Sequence, residues 1–414
     1  MRKMIDSGVT WIGEIPYDWP LVRFKDKYVN IKEVAKERSV EFERLALTLN
    51  GVVKRPKDDS EGLQPKEFDG YQILRKNDFV FKMIDLQNVS TSRVGLSPYT
   101  GLVSPAYIRF SPKEPNQYNQ FVYYYLMSLY YNCVYNNLGG NGVRSALNGK
   151  DMGEFVVPYP SESEQRTIGD FLDEKCSQVD ALIVNVQAQI EKLKAYKQSM
   201  ITEKIAPQVG WSQCRLGQIA NFKNGLNYNG LSTDIEIKFL GVGDFQQNFR
   251  MDKPEMFSNL KFNGDIPKDL FLENGDIVFV RSNGSKELVG RSVFIDNVDY
   301  PLTYSGFCIR MRNHRKDIIR SEFLMYYFWS HTYRQTLNQN SRGTNISNLN
   351  QEMLSALEIH FPSIELQNEI VDSLNKLMGT IDRLIAIKQE KIEKLEQYKK
   401  SLIYEYVTGK KEVL

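Results

Sequence analysis

Cysteine and histidine are scarce in this chain, and neither is arranged as a metal site. The cysteines are Cys133, Cys176, Cys214 and Cys308. They stand alone without a CxxC spacing, which argues against a zinc knuckle and a disulfide framework. The three histidines have no carboxylate or cysteine at ligand spacing. We therefore expect no metal site and no disulfide.

Long apolar runs are also missing. No stretch approaches the length needed to cross a bilayer, and the start, MRKMIDSGVTW, has two early cations with no apolar core behind them. A secretory signal would need that core. We expect a cytoplasmic protein without a membrane partner.

The chain has almost no excess charge of either sign. Its 53 lysines and arginines nearly balance its 51 aspartates and glutamates, which leaves a net charge of +2 over 414 residues. Any contact with nucleic acid must then come from local basic patches. Composition alone neither proposes nor excludes a DNA partner.

A long internal repeat organises the sequence. IEKLKAYKQSMI at 190–201 returns as IEKLEQYKKSLI at 392–403, and PSESEQ at 160–165 returns as PSIELQ at 362–367. Upstream, NDFVF at 77–81 pairs with GDIVF at 275–279. A period of about two hundred residues is too long for a solenoid repeat, which spans about 20 to 50 residues. Two copies of a whole domain with an attached helix explain it better.

Each copy is predicted to contain a mixed α+β domain followed by a long helix. Short β-rich runs are broken by Gly, Asn and Pro turn signals. Ser161 and Glu164 form a capping-box pattern at the first helix, and Ser363 precedes the second. The predicted boundaries are 1–160 and 207–361 for the domains, and 161–206 and 362–414 for the helices.

Apolar residues alternate by four and three along both helices, the spacing of a coiled-coil seam. The seam residues are Leu172, Val179, Ile183, Val186, Ile190 and Leu193 in the first helix and Leu374, Ile381, Ile385, Ile392, Leu395 and Leu402 in the second, with Cys176 and Met378 at equivalent places. Lys388 interrupts the seam of the second helix. Lys197 in the first helix and Lys399 in the second interrupt their seams at equivalent positions. Such lysines either set the register or belong to a frayed, solvated end.

Connectivity predicts that the helices run antiparallel. The first leaves domain one and reaches domain two, so the second must run back if the seams pack together. Some forty residues would give a bar of roughly 60 Å, with two domains related by a pseudo-twofold axis. Two such domains on a rigid spacer suit duplex DNA, which is itself twofold symmetric. Because the two domains differ in sequence, they would read two different half-sites. A scaffold gripping two copies of one protein is the alternative.

The order of these motifs resembles the specificity (S) subunits of Type I restriction-modification systems over nearly the whole chain. The resemblance rests on the SGVTWIGEIPYDWPLVRF start, the NDFVF and GDIVF motifs, the P-S-x-x-x-Q helix entrances and the IEKLxxYKxSLI type of helix end. It implies that each variable domain is a target recognition domain for half of a bipartite double-stranded DNA site. The helices would set the spacer and dock partner subunits.

The resemblance also implies a non-catalytic subunit. Two methyltransferase (M) subunits would bind S-adenosylmethionine and methylate adenine N6, and motor-nuclease (R) subunits would use ATP and magnesium. The sequence agrees, because it has no NPPY or DPPY motif, no GxxxxGK[ST] loop and no GxGxxG. A self-contained enzyme is thereby disfavoured. A relative that combines restriction and methylation in another chain stays open.

Two polar loops in each domain carry the residue types that read base edges and bind phosphates. The first loop follows the NDFVF or GDIVF strand, and the second precedes the last strand of the domain. The predicted DNA-binding residues are Lys82, Gln87, Asn88, Ser90, Thr91, Arg93, Asn141 and Arg144 in domain one and Arg281, Asn283, Ser285, Lys286, Arg291, Arg342, Thr344 and Asn345 in domain two. Asn148 and Asn348 are further candidates in the second loops.

Overall fold

The computed structural model of the chain describes residues 2–49, 51–58, 67–86, 93–137, 146–227, 235–245, 249–262, 265–282, 288–340 and 348–413. Contacts divide the chain into two compact units. Unit 1 comprises Met1–Val186 and Glu390–Leu414, and unit 2 comprises Gln187–Gln389. Each unit therefore combines one mixed region with a stretch of both long helices.

The first half of the chain supplies most of unit 1. Its strands are β1 Met4–Asp6, β2 Glu14–Pro16, β3 Leu21–Arg23, β4 Tyr28–Asn30, β5 Arg44–Thr48, β6 Gly51–Arg55, β7 Gln72–Leu74, β8 Phe79–Lys82, β9 Arg93–Leu96, β10 Gly101–Val103, β11 Ile108–Pro112 and β12 Val156–Pro158. Its helices are α1 Phe24–Lys27, α2 Gln120–Tyr131, α3 Val134–Asn137, α4 Gly149–Gly153 and the long α5 Glu162–Ile205, which continues into unit 2.

The second half of the chain supplies most of unit 2. Its strands are β13 Ser212–Arg215, β14 Ala220–Asn224, β15 Ile235–Leu240, β16 Arg250–Met251, β17 Ser258–Phe262, β18 Ile277–Val280, β19 Ser292–Ile295, β20 Leu302–Tyr304, β21 Cys308–Asn313 and β22 Glu358–Phe361. Its helices are α6 Ser321–Trp329, α7 His331–Asn340, α8 Gln351–Ala356 and the long α9 Ile364–Val407, which ends in unit 1.

The two units share one sheet pattern. In unit 1, β8 pairs antiparallel with β9 and β11, and Val80 lies opposite Arg109. In unit 2, β18 pairs antiparallel with β19 and β21, and Val278 lies opposite Arg310. Because Val80 and Val278 occupy the same place in both sheets, the sequence repeat is a repeat of the fold.

A left-handed turn introduces the central strand of each unit. Asn77 has φ of 71° and Gly275 has φ of 93°, a region that Gly adopts freely and Asn tolerates. The next residue, Asp78 or Asp276, is buried. In both units its carboxylate accepts a hydrogen bond of 2.8 Å from the backbone N–H of the residue three positions earlier. The Asn-Asp and Gly-Asp pairs of the NDFVF and GDIVF motifs therefore build the turn.

Both long helices are fastened to their units at the first turn. Gln165 and Gln367 are buried, and each donates from Nε2 to a proline carbonyl, Pro160 or Pro362, at 2.9 Å. A buried amide stays satisfied only with such partners, which explains the glutamine of the P-S-x-x-x-Q motif.

The predicted capping box at Ser161 forms only in part. The N–H of Glu164 donates to Ser161 Oγ at 3.3 Å. The Glu164 carboxylate accepts instead from the indole Nε1 of Trp19 at 3.1 Å, so it ties the start of α5 to the N-terminal segment of unit 1. The Trp19 ring is buried and packs edge-on against the Phe121 ring, with 5.7 Å between the two ring centres.

Within each unit the long helices run antiparallel. In unit 1, the rings of Phe171 and Tyr406 are 4.6 Å apart, and further along α5 Asp180 accepts from Lys399 Nζ at 2.7 Å. Later positions in α5 thus meet earlier positions in α9.

Unit 2 shows the same direction. Gln189 Oε1 accepts from Lys388 Nζ at 2.5 Å, and Asp382 Oδ1 accepts from Lys197 Nζ at 2.6 Å. The predicted fold class, mixed α+β domains with two long antiparallel helices, is confirmed.

The residues of the predicted seam are covered while their neighbours are mostly exposed. Leu172, Val179, Val186, Ile190, Leu374, Ile381, Ile392 and Leu402 are buried, and Ile183, Leu193, Ile385 and Leu395 are half-buried. Burial raises the pKa of the Cys176 thiol to about 11, so this seam residue is neutral and packs as a small apolar group.

The seam lysines are paired across the two helices, so the alternative of a frayed, solvated end is wrong. The side chains of Lys197 and Lys399 are only 17% and 21% exposed, and both lie inside continuous helices. Asp180 and Asp382 are 202 positions apart, as are the two lysines. The ion pair of one unit is therefore the repeat image of the ion pair in the other.

A double-mutant cycle on Lys197 and Asp382 should give a coupling free energy of about 0.5–1 kcal/mol. Partly exposed ion pairs contribute about 0.2–1 kcal/mol, and this lysine is mostly covered. Chemical denaturation of the wild type, Lys197→Ala, Asp382→Ala and the double variant measures it. The matched cycle on Lys399 and Asp180 serves as control and should agree. Coupling near zero in both cycles would contradict a role in register.

Candidate nucleic-acid interface

Four predicted DNA-binding residues lie in the described part of the chain, at the bases of the first loops. Lys82 ends β8 and lies opposite Arg93, the first residue of β9. In unit 2, Arg281 follows β18 and Arg291 precedes β19. All four are half-buried. Arg93 and Arg291 are 198 positions apart, like Val80 and Val278, so both units place an arginine where the first loop returns to the sheet.

Apart from the further candidates Asn148 and Asn348, the other predicted residues lie outside the described ranges and remain predictions. They are Gln87, Asn88, Ser90, Thr91, Asn141 and Arg144 in the first half of the chain and Asn283, Ser285, Lys286, Arg342, Thr344 and Asn345 in the second.

In unit 1 the bases of the two predicted loops are joined by main-chain contacts. An isolated antiparallel bridge links Ile84, after β8, to Ala146, before α4. Next to it, the N–H of Leu147 donates to the carbonyl of Met83 at 3.0 Å. The Leu147 side chain is buried. The structure thus brings together two segments that are about sixty residues apart in sequence.

Unit 2 has the same junction. A bridge links Ser282 to Asn348, and the N–H of Leu349 donates to the carbonyl of Arg281 at 2.8 Å. Leu349 is fully buried. We call this repeated pair of contacts the loop clamp. It places the two candidate loops of each unit side by side at their bases.

The clamp is followed at once by a capped helix. Asn148 Oδ1 accepts from the N–H groups of Lys150 and Asp151 at 2.9 and 3.1 Å, and Asn350 Oδ1 accepts from Met353 N at 2.7 Å. Asn148 was a further DNA-binding candidate; its side-chain carbonyl oxygen serves as the N-cap of α4, and its contact with DNA stays a prediction.

An ion pair to a buried aspartate supports the strand that leads to each loop. Asp78 accepts from Arg109 Nε at 2.6 Å, and both side chains are almost fully covered. In unit 2, Asp276 accepts from Arg312 Nη2 at 2.7 Å. Sequence reasoning missed these pairs because an arginine in a short strand looks like a surface cation. The aspartate that recurs in NDFVF and GDIVF was the available signal.

An exposed aromatic ring beside the unit 2 clamp was also missed. Phe307 is 63% exposed, and its carbonyl accepts the N–H of Arg281 at 2.8 Å. Arg281 Nη1 lies 3.5 Å from the carbonyl of Gly306. A ring in this position can contact a thymine methyl group or stack on a base. A single aromatic in a turn carries no periodic signal.

The described ranges contain neither a metal-binding cluster nor a helix that could cross a membrane. No three His, Cys, Asp or Glu side chains there come close enough to hold a metal ion. Among the helices described, none has the length and apolar character that crossing a membrane requires.

The family model described as "Type I restriction modification DNA specificity domain" matches the chain twice, over residues 27–192 and 208–397. The chain belongs to this family. The identification made from the repeated motifs is confirmed, and so is the general function, DNA recognition in a Type I restriction-modification system. Each family match spans most of one mixed region and most of the long helix that follows it.

Relatives and solved structures agree. The Type I restriction enzyme MjaVIII specificity subunit of Methanocaldococcus jannaschii is 23% identical over 96% of this chain and 93% of its own length. The StySPI specificity subunit of Salmonella potsdam is 28% identical over 55% of this chain, and the match spans about half, 51%, of that protein.

A solved chain from a study of complex assembly and conformational transition of the type I R-M system has the same fold. It superimposes with a TM-score of 0.66 over 95% of this chain and 98% of that chain, at 14% identity.

Leu147→Pro should loosen the loop clamp of unit 1, because proline has no N–H to donate to Met83. A buried carbonyl left without its partner costs about 1–3 kcal/mol. Hydrogen exchange should become faster in peptides covering β9 and α4. Leu147→Ala, which loses the side chain but keeps the N–H, separates the two effects. Equal exchange in both variants would show that the N–H contributes nothing.

Proposed function

We propose that each unit reads one half of a bipartite, asymmetric double-stranded DNA site. The repeated loop clamp is the observation that carries this proposal, because it joins the bases of two polar loops in each unit. Because the same clamp occurs in both units, it suits a ligand that is contacted at two places. The loops on the two clamps differ in composition, which suits two different half-sites.

The clamp positions divide into shared and different residues. Arg93 and Arg291 are the same residue at equivalent places, and a shared cation suits phosphates, which carry no sequence information. Met83 is replaced by Arg281 in unit 2, and arginine can bind guanine bidentately. We propose that such unlike positions, with the loops that follow them, distinguish the half-sites.

The antiparallel helices are proposed to set the number of unread base pairs between the half-sites. Each helix has 44 residues, about 66 Å at 1.5 Å per residue. Ion pairs between the helices fix how far one can slide along the other.

The helices also offer repeated docking positions for methyltransferase (M) subunits. Leu182 and Leu384 occupy one repeat position and Tyr196 and Tyr398 another, and all four are 42–54% exposed. The Asp180–Lys399 register puts Leu182 and Tyr398 at the same level in unit 1, and the register of unit 2 does the same for Leu384 and Tyr196. We propose that each Leu–Tyr pair anchors one M subunit, since exposed aromatic and aliphatic anchors dominate many interfaces.

The chain itself is proposed to be non-catalytic. S-adenosylmethionine would bind to the M subunits, and ATP and magnesium to the motor-nuclease (R) subunits. The chain would select the DNA site, and the partner subunits would carry out the reactions. A purely protein-binding scaffold, the main competing function, would give a complex with no preference for any bipartite duplex.

Removing one heptad from each helix should shorten the unread gap in the site. Deleting 185–191 and 387–393 removes equivalent turns and leaves the Lys197–Asp382 and Asp180–Lys399 pairs in place. The loss of about 10 Å corresponds to about three base pairs. Mapping methylated adenines in cells that express the chain with its partner subunits measures the gap.

The undeleted chain is the control for that experiment and should give two unlike short motifs with a fixed gap. If the gap does not change in the deletion variant, the helices do not set it. If the undeleted chain directs no bipartite methylation, the proposed function itself fails.

Leu182→Glu should remove one of two M subunits, because it places a charge in one of the two proposed anchors. Sedimentation of the reconstituted complex should show one M subunit per chain, and Leu182→Glu with Leu384→Glu should show none. Val184→Glu, at a neighbouring residue that is 68% exposed, is the matched control and should retain both. Retention of two M subunits by the double variant would disprove these anchors.

A further inference from the structure

The turn between β20 and β21 carries an aromatic ring at its tip. Phe307 is 63% exposed, although the strands on either side of it are almost entirely buried. Single exposed apolar side chains are common on protein surfaces, so the exposure alone indicates no function. The backbone beneath the ring and its place beside the loop clamp indicate more.

The backbone of this turn is fixed at every amide. Each N–H group from 305 to 308 donates a hydrogen bond. The first two donate to the carbonyls of Leu240 and Leu226 at 3.0 and 2.8 Å. The last two donate to the hydroxyl and the carbonyl of Ser305 at 3.2 and 2.8 Å. The ring of Phe307 therefore stands on a rigid base, and little backbone freedom is lost when it binds a ligand.

Phe307 is joined to the loop clamp through Arg281. Its carbonyl accepts the N–H of Arg281 at 2.8 Å, and the carbonyl of Arg281 accepts the clamp N–H of Leu349 at 2.8 Å. Arg281 Nη1 lies 3.5 Å from the carbonyl of Gly306, the residue before the ring. Arg281 and Phe307 are therefore neighbours on one hydrogen-bonded frame, and we call them the Arg–Phe pair.

The same turn occurs in unit 1. Ser104 accepts two N–H groups there, one at its hydroxyl from Ala106 at 3.3 Å and one at its carbonyl from Tyr107 at 3.1 Å. These are the two hydrogen bonds that Ser305 accepts in unit 2. The frame that supports the ring is thus part of the repeat.

Both side chains of the Arg–Phe pair are replaced in unit 1. Ala106 and Phe307 are 201 positions apart, an offset that the strands following the two turns share, and Ala106 is exposed. Met83 occupies the clamp position of Arg281 and is buried. The two side chains have diverged while their backbone frame has not.

The chemistry of the pair suits two neighbouring base pairs in the major groove. Arginine donates two hydrogen bonds to O6 and N7 of guanine, and an apolar side chain such as phenylalanine contacts the C5 methyl group of thymine. Successive bases along one strand are about 3.4 Å apart. Strands joined by backbone hydrogen bonds lie about 5 Å apart, so the two side chains of the pair can reach adjacent base pairs.

We propose that Arg281 and Phe307 read a guanine and a neighbouring thymine in the half-site of unit 2, with the ring against the thymine methyl group. This inference rests on the proposed function and names two bases of one half-site. Unit 1, with Met83 and Ala106 at these places, does not require such a step. The Arg–Phe pair is therefore one source of the difference between the half-sites.

Base analogues test the ring in the complex assembled with its partner subunits. The probe is a duplex that carries the methylated motif mapped for the wild type. Each of its thymines is replaced in turn by deoxyuridine, which lacks only the methyl group. At one thymine the wild-type complex should bind about fourfold more weakly, the value of one buried methyl-sized group. Phe307→Ala, which installs the residue of unit 1, should abolish this effect.

Matched variants separate reading from structure. Phe307→Leu keeps an apolar contact and should retain the sensitivity to the methyl group. Thymines of the other half-site should give the same result in the wild type and in Phe307→Ala. For Arg281, 7-deazaguanine beside the sensitive thymine lacks the N7 acceptor and should weaken wild-type binding about tenfold. Arg281→Met, again the residue of unit 1, should not respond to this analogue.

Three results would overturn the inference. The first is an equal response of the wild type and Phe307→Ala to deoxyuridine at every thymine, and the second is a sensitive thymine with no guanine beside it. The third is a loss of binding in Phe307→Ala by the same factor for every base at that position, because the ring then stacks on DNA without reading it.

The proposed function has a separate outcome. If any of these three results is found while the wild type still directs methylation at two unlike motifs with a fixed gap, the proposed function stands without the Arg–Phe pair. A wild-type complex without preference for any bipartite duplex would overturn the proposed function itself.

Discussion

The antiparallel register of the two long helices is the constraint on which both units depend. Because α5 leaves unit 1 and α9 returns to it, unit 1 is built from two separate stretches of the chain, and each unit contains part of both helices. The core of unit 1 combines Leu172 of α5 with Leu402 of α9, and the core of unit 2 combines Ile201 of α5 with Leu374 of α9. A shift of one helix along the other would therefore remove apolar residues from both cores at once. The Asp–Lys pairs oppose such a shift, since a displaced lysine would lose its partner at a largely covered position.

Buried polar contacts connect this helix pair to the candidate interface. Gln165 and Gln367 join the helices to the segments that precede them, and Asp78 and Asp276 hold the strands that lead to the first loops. These contacts recur in both units at equivalent positions. The loops that start from this frame differ in sequence. A rigid repeated frame with unlike loops allows each half of a ligand to be read differently without disturbing the packing.

The parts of this architecture that could be predicted from sequence are those with a local signal. Proline and serine mark the starts of both long helices, and the four-three alternation marks their seam. The lysines of that seam had two interpretations, because the pattern of one helix does not show what lies across from it. The Asp78–Arg109 pair and the loop clamp had no local signal at all, since their partners are far apart in sequence. For the loops, residue chemistry indicated which types could read DNA, but the contacts that bring two loops together are made by backbone groups that any residue could supply.

Repetition and its absence have different consequences for binding. The exposed Leu–Tyr pairs recur in both units, so whatever binds one can bind the other, and two identical partners are the natural occupants. The clamp positions do not all recur, since Met83 in unit 1 is replaced by Arg281 in unit 2. A repeated surface cannot tell one end of a duplex from the other, whereas an unrepeated one can. Unlike residues on one repeated frame therefore allow the two units to differ in what they bind without a change in the packing that supports them.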